Sequence, residues 1–236
     1  RRAGRAPRAG REMAARGLRA GAARVLVSGP SKAADYTLVL GANDAGLQGA
    51  HRIISNASCT TNALAPLAAL IQREWGVVTG WMTTVHCYTG SQPTVDAPAA
   101  DFARSRAAAL SLVPTTTSAQ RLLDQVLPEL AGRIEASAVR VPVASVSAVD
   151  LAVMTERPAT REAMNAAFHA VGGVIGVTDR ALVSTDLRAR RESIVMASLE
   201  TRVTKGGMLR VFGWYDNEWG FSNRMLDVAI RLKSLG

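Results

Sequence analysis

Short apolar runs crowd the start of the chain, and longer ones fill the rest. Arg24-Val25-Leu26-Val27-Ser28 stops at Gly29-Pro30, and Tyr36-Thr37-Leu38-Val39-Leu40 stops at Gly41-Ala42-Asn43-Asp44. His51 to Ser55 is a third run. Each reads as a buried strand closed by turn residues. The Ala/Arg-rich stretch 11–20 has a helix-forming composition. Short apolar strands with a helix before them predict a parallel α/β sheet.

The apolar stretch Ala63 to Leu70 reads as a helix. Pro66 inside it removes a hydrogen bond at a cost of about 3 kcal/mol, so a kink or a displaced first turn is expected. Farther on, strand-like runs cover 77–88, 136–156 and 208–216. Helices are expected at 118–127 and 159–170. In the second, Met164, Ala167, Phe168 and Val171 recur at helical spacing. A last amphipathic helix is expected over 222–234, with Ser222 as its N-cap. Long strands beside a few helices predict an α+β domain with one broad mixed or antiparallel sheet.

Composition changes this picture little. The 236 residues are 48% hydrophobic, enough for a sizeable core and too much for a disordered chain. No apolar run is long enough to predict a membrane-spanning helix. The formal charge of +9 is misleading, because residues 1–24 hold eight arginines against one acid, Glu12. Residues 25–236 carry 20 basic and 18 acidic groups, so the body is nearly neutral. The basic head has no aromatic residues to stack on bases, so it reads as a solvated face or frayed end rather than a specific nucleic-acid site. It is Arg-rich and acid-poor like a transit peptide, yet Ser-poor. The chain opens on Arg1 and its first methionine is Met13, which suggests processing or a missing upstream piece. Cys59 and Cys87 lack CxxC or Cys/His spacing, so no metal site is expected. Few cysteines and no secretion signal point to a reducing, cytoplasmic setting.

The candidate chemistry lies in Ser55-Asn56-Ala57-Ser58-Cys59-Thr60-Thr61-Asn62 and, 27 residues beyond the cysteine, in Thr83-Thr84-Val85-His86. A thiol at a helix start meets unpaired N–H groups and the positive end of the dipole, which predicts a lowered pKa. Strand alternation puts Met82, Thr84, His86 and Tyr88 on one face, so His86 can serve as base to Cys59. Taken alone, each histidine reads as structural, and His51 and His169 keep that reading. Thr89, Arg104-Ser105-Arg106, Pro114-Thr115-Thr116-Thr117-Ser118 and Arg140 are anion-site candidates. Arg140 sits in an apolar strand and needs a carboxylate or a bound anion as partner.

These segments, with Ser28-Gly29-Pro30-Ser31-Lys32, Arg140-Val141-Pro142 and Trp214-Tyr215-Asp216-Asn217-Glu218-Trp219-Gly220, resemble phosphorylating glyceraldehyde-3-phosphate dehydrogenase. The likeness runs from about residue 11 to the C-terminus. It implies that Cys59 attacks an aldehyde to form a thiohemiacetal, with His86 as base. Hydride transfer to NAD or NADP then leaves a thioester, which inorganic phosphate cleaves. In the family's pattern Thr89 and Arg140 hold the substrate phosphate. Ser58, Thr60, Thr117, Ser118 and Arg104 surround the attacking phosphate, with Arg106 close by as the alternative to Arg104. Ser28 lies along the cofactor and Asn217 bonds the nicotinamide amide. The resemblance further implies a homotetramer, with the loop near 90–115 packed between subunits. It divides the chain into the end of a doubly wound dinucleotide-binding domain (1–58, completed by the helix 222–236) and a catalytic domain (59–221).

The departures from the pattern matter. No Gly-x-Gly-x-x-Gly turn precedes Cys59, and about the first hundred residues of the family pattern are absent, so weak dinucleotide binding is expected of this chain. Ser118 replaces a usual glycine, Ala63 a frequent second cysteine, and Phe221 a frequent tyrosine. Erythrose-4-phosphate dehydrogenase shares the Cys–His framework and is the nearest alternative. A Cys–His hydrolase would leave Asn217 and the two anion pockets without a role. A catalytically silent fragment is the remaining reading.

Overall fold

The computed structural model describes residues 11–99 and 101–235. Residues 1–10 of the arginine-rich head lie outside them, and with them that part of the frayed-end expectation. In chain order the elements are α1 (Arg11–Arg19), β1 (Val25–Val27), β2 (Tyr36–Thr37), β3 (Ile53–Ser55), α2 (Cys59–Trp75) and β4 (Val77–Cys87). Then come β5 (Val113–Thr115), α3 (Ala119–Val126), β6 (Ile134–Val141), β7 (Ser147–Thr155) and α4 (Arg161–Val171). The chain ends in β8 (Ile175–Thr178), β9 (Ile194–Ala197), β10 (Arg202–Val203), β11 (Leu209–Tyr215) and α5 (Trp219–Lys233).

Two sheets form. The small one has the order β1-β3-β2, with both pairs parallel, as the short runs predict. The large one has the order β5-β6-β4-β7-β11-β9-β8, with β10 on β11. It is mixed: β4/β6 and β8/β9 are parallel, and the other pairs are antiparallel. Met82, Val149, Leu151, Val153, Val211 and Ile194 face the helices from this sheet. Leu64, Leu67 and Ile71 of α2, Leu122 and Leu123 of α3, and Met164 and Phe168 of α4 close the core over them. A second cluster packs Val228 and Leu232 of α5 against Leu38, Leu40 and Ile54 beside the small sheet.

Four expectations are revised. The run 136–156 is two strands, because Pro142 cannot donate to a ladder and the chain turns back through Val146, whose φ is 67°. The helix expected from Ala63 starts at Cys59, one turn earlier, and continues through Pro66 to Trp75. The last helix starts at Trp219 rather than at Ser222. There the Asp216 carboxylate accepts the N–H groups of Glu218 and Trp219 at 3.1 and 2.9 Å, while the Ser222 hydroxyl donates to the Glu218 carbonyl at 2.8 Å. Finally, the strand expected over 36–40 pairs only through Tyr36 and Thr37, with one further bond from the Leu38 N–H to the Ser55 carbonyl. Leu38 and Leu40 still pack under α5.

Candidate active site

The turn after β3 builds the seat of Cys59 from local polar residues. Ala57 is left-handed (φ 53°), a conformation that costs a non-glycine residue about 1 kcal/mol and reverses the chain between β3 and α2. Ser58 then caps α2, its Oγ accepting from the Thr61 N–H at 3.1 Å and pairing with Thr61 Oγ1 at 2.7 Å. The Asn62 amide donates to the carbonyls of Asn56 and Ser58 at 2.8 and 3.0 Å. Cys59 is therefore the first helical residue, held by a turn with little freedom.

Its partner comes from the sheet. β4 and β6 run parallel with His86 and Arg140 as register partners, so the two side chains leave adjacent rungs on one face. Cys59 Sγ lies 3.7 Å from His86 Nε2. His86 Nδ1 donates to the Cys87 carbonyl at 2.7 Å, which leaves Nε2 as the bare nitrogen facing the sulfur. Arg140 Nη1 abuts Nδ1 and donates to the same carbonyl at 3.1 Å. Beneath the pair, the buried Tyr215 hydroxyl bridges Thr60 Oγ1 at 2.9 Å and Thr84 Oγ1 at 2.8 Å, and its ring meets His86 edge-on. Tyr215 thus ties the start of α2 to β4. Its chemistry was not legible in the sequence, although it lies in the Trp214–Gly220 segment.

Burial reverses one expectation. The helix start does not make Cys59 acidic: desolvation pushes its thiol up, and hydrogen bonds from Thr60 and the Arg140 charge offset this only in part. Burial, followed by the Arg140 charge, lowers His86 to about 4. At neutral pH the resting pair is therefore thiol and uncharged imidazole, a base ready to take a proton.

A cleft of about 810 Å³ opens over this pair. It gathers Ser28, Ser58, Cys59, Thr60, His86 and Arg140 with Arg104, Thr117 and Ser118 from the far loop. Arg104 donates to Thr115 Oγ1 and, at 3.0 Å, to Thr116 Oγ1, whereas Arg106 turns to Asp96 at 3.1 Å and stays outside. Arg121 also lines the cleft and was not anticipated. Two anticipated residues do not line it. The Thr89 hydroxyl pairs with Ser91 Oγ at 2.9 Å, and Asn217 sits at the end of β11 with its Oδ1 against Cys87 and Ser147. Among the described residues no group of three or more His, Cys, Asp or Glu is placed to hold a metal ion, and no helix is long and apolar enough to cross a membrane.

Residues 58–217 match the profile of the glyceraldehyde 3-phosphate dehydrogenase C-terminal domain. The chain is 46% identical to glyceraldehyde-3-phosphate dehydrogenase of Xanthobacter flavus over 231 residues, which are 96% of this chain and 69% of that protein. It is 46% identical to that of Cereibacter sphaeroides over 230 residues, 95% of this chain and 69% of the relative. With the Geobacillus stearothermophilus protein it shares 45% over 232 residues, 96% and 69% respectively.

Proposed function

The chain belongs to the glyceraldehyde-3-phosphate dehydrogenase family, and from that premise we propose that it supplies the catalytic half of a phosphorylating aldehyde dehydrogenase acting on D-glyceraldehyde 3-phosphate. The observation that carries the reading is Cys59 Sγ at 3.7 Å from the bare Nε2 of a neutral His86, inside a cleft lined by Arg104, Arg121 and Arg140. The sulfur adds to the aldehyde carbon and gives a thiohemiacetal on Cys59. His86 Nε2 takes the hydroxyl proton as the carbon is oxidised to a thioester. Inorganic phosphate attacks the thioester, frees the sulfur and leaves as the acyl phosphate, 1,3-bisphosphoglycerate. Arg140 holds the substrate phosphate from the cleft, and Thr89 joins it once its hydroxyl turns in from Ser91. Arg104, Thr117, Ser118, Ser58 and Thr60 receive the attacking one. The mixture of cations and hydroxyls around the cleft suits two such anions.

The cofactor is a nicotinamide dinucleotide, NAD or NADP, which when bound accepts the hydride. The residues present fit its nicotinamide end: Asn217 is the amide donor and Ser28 borders the cleft. The sequence has no Gly-x-Gly-x-x-Gly turn for the pyrophosphate. The small parallel sheet under α5 supports a remnant of a doubly wound unit over 1–58 and 222–236, with 59–221 as the catalytic domain. Exposed Val95, Phe102, Leu110 and Leu112 on the 90–115 loop support packing between copies in a homotetramer.

The test is nicotinamide reduction on adding glyceraldehyde 3-phosphate, with and without inorganic phosphate. Phosphate-dependent turnover that vanishes in Cys59→Ser is the expected result. Phosphate-independent ester hydrolysis would mark a Cys–His hydrolase instead. A higher rate on erythrose 4-phosphate would reassign the substrate.

A further inference from the structure

Three strand ends meet behind His86. Cys87 ends β4, Ser147 opens β7, and Asn217 follows β11 by two residues. These strands are neighbours in the order β4-β7-β11. Ser147 Oγ accepts the Cys87 N–H at 3.1 Å, and its one proton goes to Asn217 Oδ1 at 3.1 Å. The Cys87 thiol donates to the same oxygen at 3.2 Å. Both Cys87 and Ser147 are 1% exposed, so neither proton reaches water.

We propose that Cys87 and Ser147 are positioning residues that lock the Asn217 amide with its oxygen inward and its NH2 outward, presented as a donor to the carbonyl of a nicotinamide carboxamide. This rests on the function proposed above. A flipped amide would lose both accepted bonds and set its N–H groups against the Cys87 and Ser147 side chains, so the oxygen-inward orientation is preferred. No acceptor within the described residues engages the outward NH2 of half-buried Asn217. Burial keeps the Cys87 thiol protonated and hence a donor at neutral pH. Val146, left-handed at φ 67° and β-branched, is the turn that delivers Ser147 to this point.

The test compares Cys87→Ala, Cys87→Ser and Cys87→Ala/Ser147→Ala with the unaltered chain. One readout is the NMR signals of the Asn217 side-chain amide without cofactor. The other is cofactor KM against kcat. Cys87→Ala is expected to shift and broaden the amide signals and to raise the cofactor KM roughly threefold to tenfold, the worth of one modest hydrogen bond, with kcat less affected. Cys87→Ser should restore both, and the double variant should exceed Cys87→Ala. Should Ser147→Ala prevent folding, the Cys87 pair still decides. Unchanged amide signals with a KM within twofold in Cys87→Ala would overturn the proposal. The amide signals need no turnover, so a chain inactive on every aldehyde refutes the dehydrogenase reading while the clamp is still read directly.

Discussion

His86 makes the fold sensitive to mild acid, and the size of the effect can be worked out. Its pKa falls from 6.5 to about 4 on folding, because burial and the Arg140 charge disfavour the imidazolium. The sign follows from linkage. Above pH 6.5 neither state binds this proton, so nothing is lost. Between 6.5 and about 4 the unfolded chain takes up a proton that the folded chain refuses, so stability falls as pH falls. At pH 4.5 the two values give a loss of about 2–3 kcal/mol relative to neutral pH from this one residue. His86→Gln keeps a polar side chain and removes the titration. Urea unfolding followed by tryptophan fluorescence, at pH 7.5 and pH 4.5, measures both proteins. Carboxylates titrate in both, so the gap between the two proteins isolates His86. That gap should move by about 2–3 kcal/mol in favour of the variant at pH 4.5. A gap that is the same at both pH values would falsify the claim that His86 is buried and uncharged.

Four further outcomes are expected. Iodoacetamide should modify Cys59, which borders the cleft, well before the 1%-exposed Cys87, and His86→Gln should slow the reaction at Cys59; equal rates at the two sulfurs would count against the assigned pair. Arg140→Gln should raise the pKa of His86 by removing a neighbouring cation, seen as an upward shift of the acid limb in the pH profile of Cys59 alkylation. Ser58→Ala removes the α2 cap and should cost about 1 kcal/mol in urea unfolding. Leu67→Ala, at a fully buried position in the main core, should cost about 2–5 kcal/mol by the same assay; a cost under about 0.5 kcal/mol would mean the site collapses freely.

The meeting of Cys59 and His86 was legible in the sequence, because strand alternation and a helix-start motif are local signals. Alternation put Thr84 and His86 on one face, and both are buried there with Met82. The split of 136–156 was missed because β6 and β7 are continuous in apolar character; the break depends on Pro142 and the strained Val146. The thiol's raised pKa is hidden from the sequence for a different reason. The dipole argument is local, whereas desolvation depends on β4, α2 and Tyr215 packing together, and no local pattern encodes that. Arg104 was separated from Arg106 only by the loop's path, which brings Thr115 and Thr116 to the first and Asp96 to the second. The Asn217 contacts with Cys87 and Ser147 join residues 130 and 70 positions apart, beyond any motif.

His86 and Arg140 are rungs of one parallel ladder, while the Cys59 sulfur rides on a helix laid across it. The two parts respond to stress differently. Shear between helix and sheet widens the gap from sulfur to imidazole and leaves imidazole and guanidinium in step. Alkylation speed at Cys59 is therefore a gauge of how firmly α2 sits, and it should register a loosened core before any change in secondary structure does.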